Sequence, residues 1–480
     1  MRIVFAASEL SPLAHTGSLG DVLAGLPAAL AARGHDVSIC LPCYRGLREH
    51  PELQVRATGV EIQVPIGAKR VPAEILECTA PNGVQLFLIR RDEYFDRTTL
   101  YGPDGRAYED NAERFIFFSK AVVELARRIQ PAPEIIHAHD WQTALIPVLL
   151  RERRLPIRSV LTIHNLAYQG NFWAPDFGLL NLPGDYFTSQ GVEFYGEVNL
   201  LKGGILFADR LTTVSQRYAQ EIQTPAFGAG LDAVIREHAP KLDGIQNGVD
   251  DRVWNPATDR VLPERFSAGS MAGKRVCRDV LLAEFQLAPR PAGPVIAMVT
   301  RLAAQKGIDL LVPLLDRLLA HDVRLIFLGE GDTRFERELA VASRQHRARF
   351  VYRKASDLPL AHRIYAGADL FLVPSHFEPC GMAAMVAMKY GAVPVAHAVG
   401  GLSETLRDDD PTTETGNAFL FHQDSAEAFW DAIVRGLTVF ADPPHWQALQ
   451  QRALASDFTW PHAAERYEAV YPLALRAKRP

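Results

Sequence analysis

Short apolar runs alternate along the chain with longer segments of helical periodicity, and each run closes in a turn rich in glycine or polar residues. Arg2 to Ala7 reads as a buried strand, Leu19 to Arg33 as a helix that Gly34 stops, and Asp36 to Leu41 as the next strand. A strand, helix, strand series of this kind sets a parallel sheet. The alternation continues with strands at Val84 to Ile89, Glu134 to His137, Ser159 to Ile163 and Arg210 to Val214, and with helices at Asn111 to Ile129 and Trp141 to Arg151. One doubly wound α/β domain is expected over this half.

From 244 to 260 the periodicity gives way to turn formers, and a second breaker-rich connection follows at 289–294. The pattern then restarts, with strands at Val295 to Val299, Val323 to Leu328, Phe350 to Tyr352 and Leu370 to Val373. Helices are predicted at Ile308 to Ala320, Arg334 to Gln345, Ala361 to Gly367 and Met382 to Tyr390. Three more close the chain, Ala426 to Phe440, Trp446 to Ala455 and Ala463 to Val470, the last stopped by Pro472. The expected organisation is therefore two Rossmann-like domains, 1–245 and 246–455, with a C-terminal helix, 456–480, that could cross back to the first. The C-terminal ends of both sheets are expected to face a cleft between the domains, where open α/β sheets bind ligands.

Composition narrows the function classes. A 480-residue chain with 48% hydrophobic residues exceeds one ordinary core, and a formal net charge of -5 without a basic cluster argues against a nucleic-acid partner. Five cysteines, an odd number without regular spacing, suit a reducing compartment, so a cytoplasmic protein is expected. The strand-like start meets Glu9 too early for a signal peptide, and no uncharged apolar run approaches the ~20 residues a membrane span needs.

The candidate chemistry lies at strand-to-helix turns. Residues 375 to 391 place Glu378, Cys380, Gly381 and Met382 between a buried strand and a helix, where free backbone N–H groups attract anions. Arg301 and Lys306 follow the first strand of the second half, and two cations ahead of a helix suit a diphosphate, although a solvated basic loop is an equal reading. The turn after the first strand, with His15, Gly17, Ser18 and Asp21, lacks GxGxxG spacing, which disfavours a nicotinamide dehydrogenase, and either a tight turn or a loop approaching a phosphate or sugar explains it. His139 and Asp140 end one strand, and His164 and Asn165 end the next. A ligand site, a helix cap at Asp140 and a satisfied core histidine at 164 stay open, while no third ligand supports a metal pair at His137 and His139. Cys40 and Cys43 have CxxC spacing without a second pair or helix start, which makes the spacing incidental.

Taken in order, several blocks resemble one family: Ala138 to Trp141, His164 to Gly170, Leu201 to Ile205, Thr213 to Ser215, Asn247 to Asp250, Arg301 to Gly307, and Phe377 to Met382. From Ile3 to about Tyr471 the chain resembles bacterial glycogen synthases and plant starch synthases, retaining glycosyltransferases of the GT-B fold. The resemblance implies glucose transfer from ADP-glucose, or UDP-glucose, to the non-reducing 4-hydroxyl of an α-1,4-glucan, without a metal or other cofactor. A related glucosyltransferase with another donor, or a weakly active glucan-binding homologue, is the alternative. Carried over by position, Arg301 and Lys306 would hold the diphosphate, Glu378 would face the donor glucose, and Asp140 and His164 would position it. His15, Gly17, Ser18, Asp21, His139, Asn165, Asn247, Cys380 and the backbone N–H groups of Gly381 and Met382 would complete the substrate contacts. Two stretches depart from the family: His15-Thr16-Gly17-Ser18-Leu19 stands where Lys-Thr-Gly-Gly-Leu is usual, and Met382 to Val386 stands where Leu-Thr-Gln-Leu-Tyr is usual. Ser18 thereby adds a Cβ where glycine allows backbone freedom.

Overall fold

The computed structural model describes every residue except 104–105, 290–292, 414 and 480, so part of the 289–294 connection lies outside the described residues. Two compact units emerge, Met1–Gly248 with Thr459–Pro480, and Val249–Phe458.

In the first unit the chain runs through β1 (Arg2–Ala6), β2 (Asp36–Pro42), β3 (Arg56–Ile66), β4 (Lys69–Thr79), β5 (Gln85–Arg90), β6 (Ile135–His139) and β7 (Arg158–Ile163). A small antiparallel sheet of β8 (Asn171–Phe172), β9 (Glu193–Phe194) and β10 (Glu197–Asn199) follows, before β11 (Arg210–Thr213) and β12 (Leu242–Gly244) return to the main sheet. Among the described residues the main order is β12-β11-β7-β6-β1-β2-β5-β4-β3. All pairs are parallel except β5 with β4 and β4 with β3, a hairpin that the apolar pattern did not reveal. The buried strands are continuous apolar runs, as a sheet covered on both faces requires, whereas the β3 edge alternates exposed and buried positions.

The second unit is one parallel sheet, with β13 (Val295–Val299), β14 (Arg324–Leu328), β15 (Phe350–Arg353), β16 (Leu370–Val373), β17 (Val393–His397) and β18 (Phe419–Phe421) in the order β15-β14-β13-β16-β17-β18. Helix Ala272–Glu284 carries the buried Lys274, whose Nζ donates to Ala366 O at 3.0 Å, Ala368 O at 2.7 Å and Tyr390 O at 2.7 Å. Those bonds tie down the C-terminal ends of two further helices, Leu358–Gly367 and Met382–Lys389. Burial pushes the Lys274 ammonium down to about 8.

Several expected helices differ. The Trp141 helix begins at Leu145, because residues 141–144 turn instead, with Thr143 N–H donating to Asp140 O. Residues 308–320 are two short helices separated by a 3-10 turn at Val312–Leu314, where Pro313 has no N–H to continue the ladder. Pro472 does not end the last helix, which runs Trp460–Arg476; the buried face of Tyr467, Val470, Tyr471 and Ala474 carries it through. That helix belongs to the first unit. Tyr471 OH lies 3.1 Å from His137 Nδ1, and Glu468 pairs with Arg33 at 2.6 Å and His35 at 2.9 Å. No helix among the described residues is long and apolar enough to cross a membrane.

Candidate functional site

In both units the strand order reverses beside the first strand, at β1/β6 and at β13/β16, and most predicted residues follow these strands, with His164 and Asn165 after β7 and Asn247 after β12. The candidate residues of each unit therefore sit in turns at carboxyl ends of parallel strands.

After β1 the turn is organised by Glu9, a residue that the sequence pattern did not single out. Its buried carboxylate accepts from Thr16 N at 2.7 Å, Thr16 Oγ1 at 2.9 Å, Gly17 N at 3.3 Å and Tyr101 OH at 2.7 Å. His15, Gly17 and Ser18 are exposed, and Asp21 lies in the first turn of helix Ser18–Ala32. Ser18 opens that helix without a positive φ, so the backbone freedom of glycine is not required at this position.

After β6, Asp140 adopts a left-handed φ of 56°. Its Oδ1 accepts from His164 N at 2.7 Å and so bridges the ends of β6 and β7; it does not cap the helix that follows. A left-handed non-glycine residue stores on the order of 1 kcal/mol, which aspartate tolerates better than most. Burial, with Glu9's charge among the lesser causes, pushes the Asp140 carboxyl up to about 7. Three histidines stand beside it, with His137 stacked on His139 at 4.3 Å and His139 Nδ1 bonded to His164 Nε2 at 2.9 Å. Desolvation holds His164 down to about 3 and His139 well below its ordinary value, so the imidazoles are neutral. One neutral ring donates to the other, and the remaining ring nitrogens, His139 Nε2 and His164 Nδ1, are buried without a hydrogen-bond partner among the described residues. Asn165 Oδ1 accepts from Ala167 N at 3.0 Å and shapes the next turn. Asn247, at the end of the first stretch of this unit, is 2% exposed, and neither its Oδ1 nor its Nδ2 has a partner among the described residues. Unpaired buried polar groups of this kind call for a ligand or a water.

In the second unit Lys306 Nζ donates to Glu378 Oε2 at 2.6 Å, across the turns after β13 and β16. Glu378 is 9% exposed and also accepts from Ser375 Oγ at 2.9 Å, while its backbone O accepts from Gly401 N at 3.0 Å. Two glycines make the approach possible. Gly307, at φ +67°, would place a Cβ 1.9 Å from Pro374 O, and Gly381, at φ +83°, caps helix Met382–Lys389 where a Cβ would come 2.6 Å from Leu402 Cδ2. Arg301 is exposed at the start of the same turn, and Cys380 and Met382 are buried. The departing residues Met382, Ala384, Met385 and Val386 are all buried and only Ala383 is half-exposed, so that stretch packs the helix more than it lines the turn. Two residues the sequence pattern missed support the turn: His397 Nδ1 donates to Ser375 O at 2.9 Å, and His376 contacts two carboxylates. The CxxC pair is buried, and desolvation pushes both thiols up to about 12.

Comparison with known proteins identifies the family. Residues 2–237 match the starch synthase catalytic domain, and residues 282–445 match glycosyl transferases group 1. The chain is 44% identical to the glycogen synthase of Opitutus terrae over 98% of its own length and 99% of that protein's, and 44% identical to the glycogen synthase of Koribacter versatilis over 100% and 99%. The chain belongs to the glycogen and starch synthase family. Its fold matches the catalytic domain of starch synthase IV from Arabidopsis thaliana, bound to ADP and acarbose, with a TM-score of 0.92 at 33% identity, covering 99% of each chain. Two Rossmann-like units of the GT-B class are thus the family architecture in this chain.

Proposed function

We propose that this chain transfers glucose from ADP-glucose to the non-reducing end of an α-1,4-glucan with retention, as a bacterial glycogen synthase. The observation that carries the reading is the 2.6 Å pair of Lys306 and Glu378 at the switch point of a parallel sheet, ahead of the capped helix Met382–Lys389. A cation and a carboxylate held together serve a reaction in which negative charge develops on a departing diphosphate and positive charge on the sugar. Arg301, Lys306 and the N–H groups of Gly381 and Met382 then hold the diphosphate, and Glu378 stabilises the oxocarbenium-like carbon. Those cations supply the charge neutralisation that a metal ion provides in other transferases. From the first unit, Asp140 and His164 position the glucose, with His139 fixing the His164 ring. Asn247 offers an unpaired donor and acceptor to a hydroxyl.

In this single-displacement route the bond from C1 to the diphosphate oxygen breaks while the acceptor 4-hydroxyl oxygen attacks C1 from the same face. Its proton passes to the departing phosphate oxygen. The starch synthase bound to ADP supports adenine as the donor base. Five free, buried cysteines support a reducing, cytoplasmic setting.

The deciding assay incubates the purified chain with glycogen and either ADP-glucose or UDP-glucose, and measures glucose incorporation and nucleotide release. Incorporation from ADP-glucose is expected. No turnover with either donor, alongside intact glycogen binding, would replace the transferase with a glucan-binding homologue.

A further inference from the structure

His376 stands two residues before Glu378 and faces a carboxylate on each side. Its Nδ1 lies 2.7 and 2.8 Å from the two oxygens of Asp424, and its Nε2 lies 3.0 and 3.1 Å from those of Asp309. A carboxylate only accepts, so both ring nitrogens must carry hydrogen, and the arrangement is that of an imidazolium. The two hydrogen-bonded carboxylates accordingly raise the pKa of His376 against the opposing effect of its burial. Asp309 lies on helix Ile308–Leu311, directly after Gly307, and Asp424 precedes helix Ala426–Phe440. His376 N also donates to Gln305 O at 2.9 Å, and Gln305 Nε2 donates back to Phe377 O at 3.2 Å. The ring and backbone of one residue thus join the turn bearing Lys306, the turn bearing Glu378 and the segment before the next helix.

We propose that His376 is a positioning residue whose protonated ring sets the Lys306 and Glu378 turns for the donor diphosphate, making donor use fall as pH rises through the titration of His376. The charged groups facing the ring are Asp309 and Asp424, and the nearest pair along the turns is Lys306 with Glu378. Loss of the proton leaves one ring nitrogen's lone pair against a carboxylate, so one clamp arm opens. It also leaves two carboxylates uncompensated beside a site for an anion, and both effects weaken the diphosphate. Sign and window follow from the raised pKa: the clamp is complete below the ordinary histidine value of about 6.5 and is lost above it, as pH passes the higher folded value.

This inference rests on the proposed donor chemistry, and its test separates the two. The full-length chain, His376→Arg and His376→Gln are compared for kcat/KM toward ADP-glucose from pH 6 to 9, for ADP affinity by calorimetry over the same range, and for thermal melting at pH 6. The parent chain is expected to lose donor kcat/KM on the alkaline side. His376→Arg, which keeps a charge between the aspartates, stays within about threefold of the parent at pH 6 and loses that alkaline fall. His376→Gln is expected to be about three- to tenfold weaker at pH 6 and to show no alkaline fall. ADP affinity should follow the same order in the three proteins. An alkaline fall retained unchanged in His376→Arg, or a parent-like profile in a folded His376→Gln, overturns the proposal. Absence of glucose transfer with the ADP response intact would sink the transferase reading and sustain the clamp.

Discussion

The candidate sites of the two units differ in how they handle charge. In the first unit every histidine beside Asp140 is held neutral by burial, and Asp140 itself takes up its proton near neutrality. The second unit instead holds Lys306 against Glu378 and sets His376 between two aspartates. Neutral imidazoles and an unpaired amide suit hydroxyl groups, whereas cations and a helix N-terminus suit a diphosphate. Under the proposed function, the first unit would meet sugar hydroxyls and the second the diphosphate.

The sharpest way to break that comparison is to remove charge from the second unit. Glu378→Ala should lower kcat by about 10²–10³-fold, of the order lost with one preorganised electrostatic group, while ADP binding measured by calorimetry persists. Near-normal turnover would remove Glu378 from the chemistry. Next in size is Asp140→Asn, expected to lower kcat by about 10–10²-fold and to abolish the acidic limb expected of the parent as pH falls through about 7. The sign of its stability effect is opposite. A carboxyl raised from about 4 to the folded value loses stability as pH climbs between them, so above pH 7 the neutral Asn should melt at a higher temperature than the parent. Asn247→Leu tests the unpaired amide. Replacing a buried group that has no partner among the described residues should leave the melting temperature unchanged or raise it, while kcat/KM falls about tenfold. The smallest effect is expected at exposed His15, where His15→Lys should lower KM for ADP-glucose by no more than about threefold. Identical kinetics would show that this turn does not touch the donor.

Strands β13 and β16 coincide with their predicted spans because a parallel strand covered on both faces is an uninterrupted apolar run. The β3 and β4 hairpin escaped because Gly59, Pro65 and Pro72 punctuate its alternation and read as breakers. Lys306 and Glu378 were legible separately, each at a strand end, and the structure brings them together. Glu9 and His376 were not, since the Tyr101 partner of Glu9 lies 92 residues away in sequence and the partners of His376 lie 67 and 48 away. Asp140's left-handed backbone likewise leaves no trace in composition. A residue's own position is visible in one dimension, but a contact made by folding is not.

The helix Trp460–Arg476 has a consequence for the order of assembly during synthesis. A ribosome delivers the last piece of the first unit only after the whole of the second has emerged. Until then His137 lacks Tyr471, Arg33 and His35 lack Glu468, and Asp209 lacks the 2.6 Å pairing with Arg479. The half that is translated second is therefore the half that can finish folding first, and the earlier half waits, incomplete, for the chain's final turns.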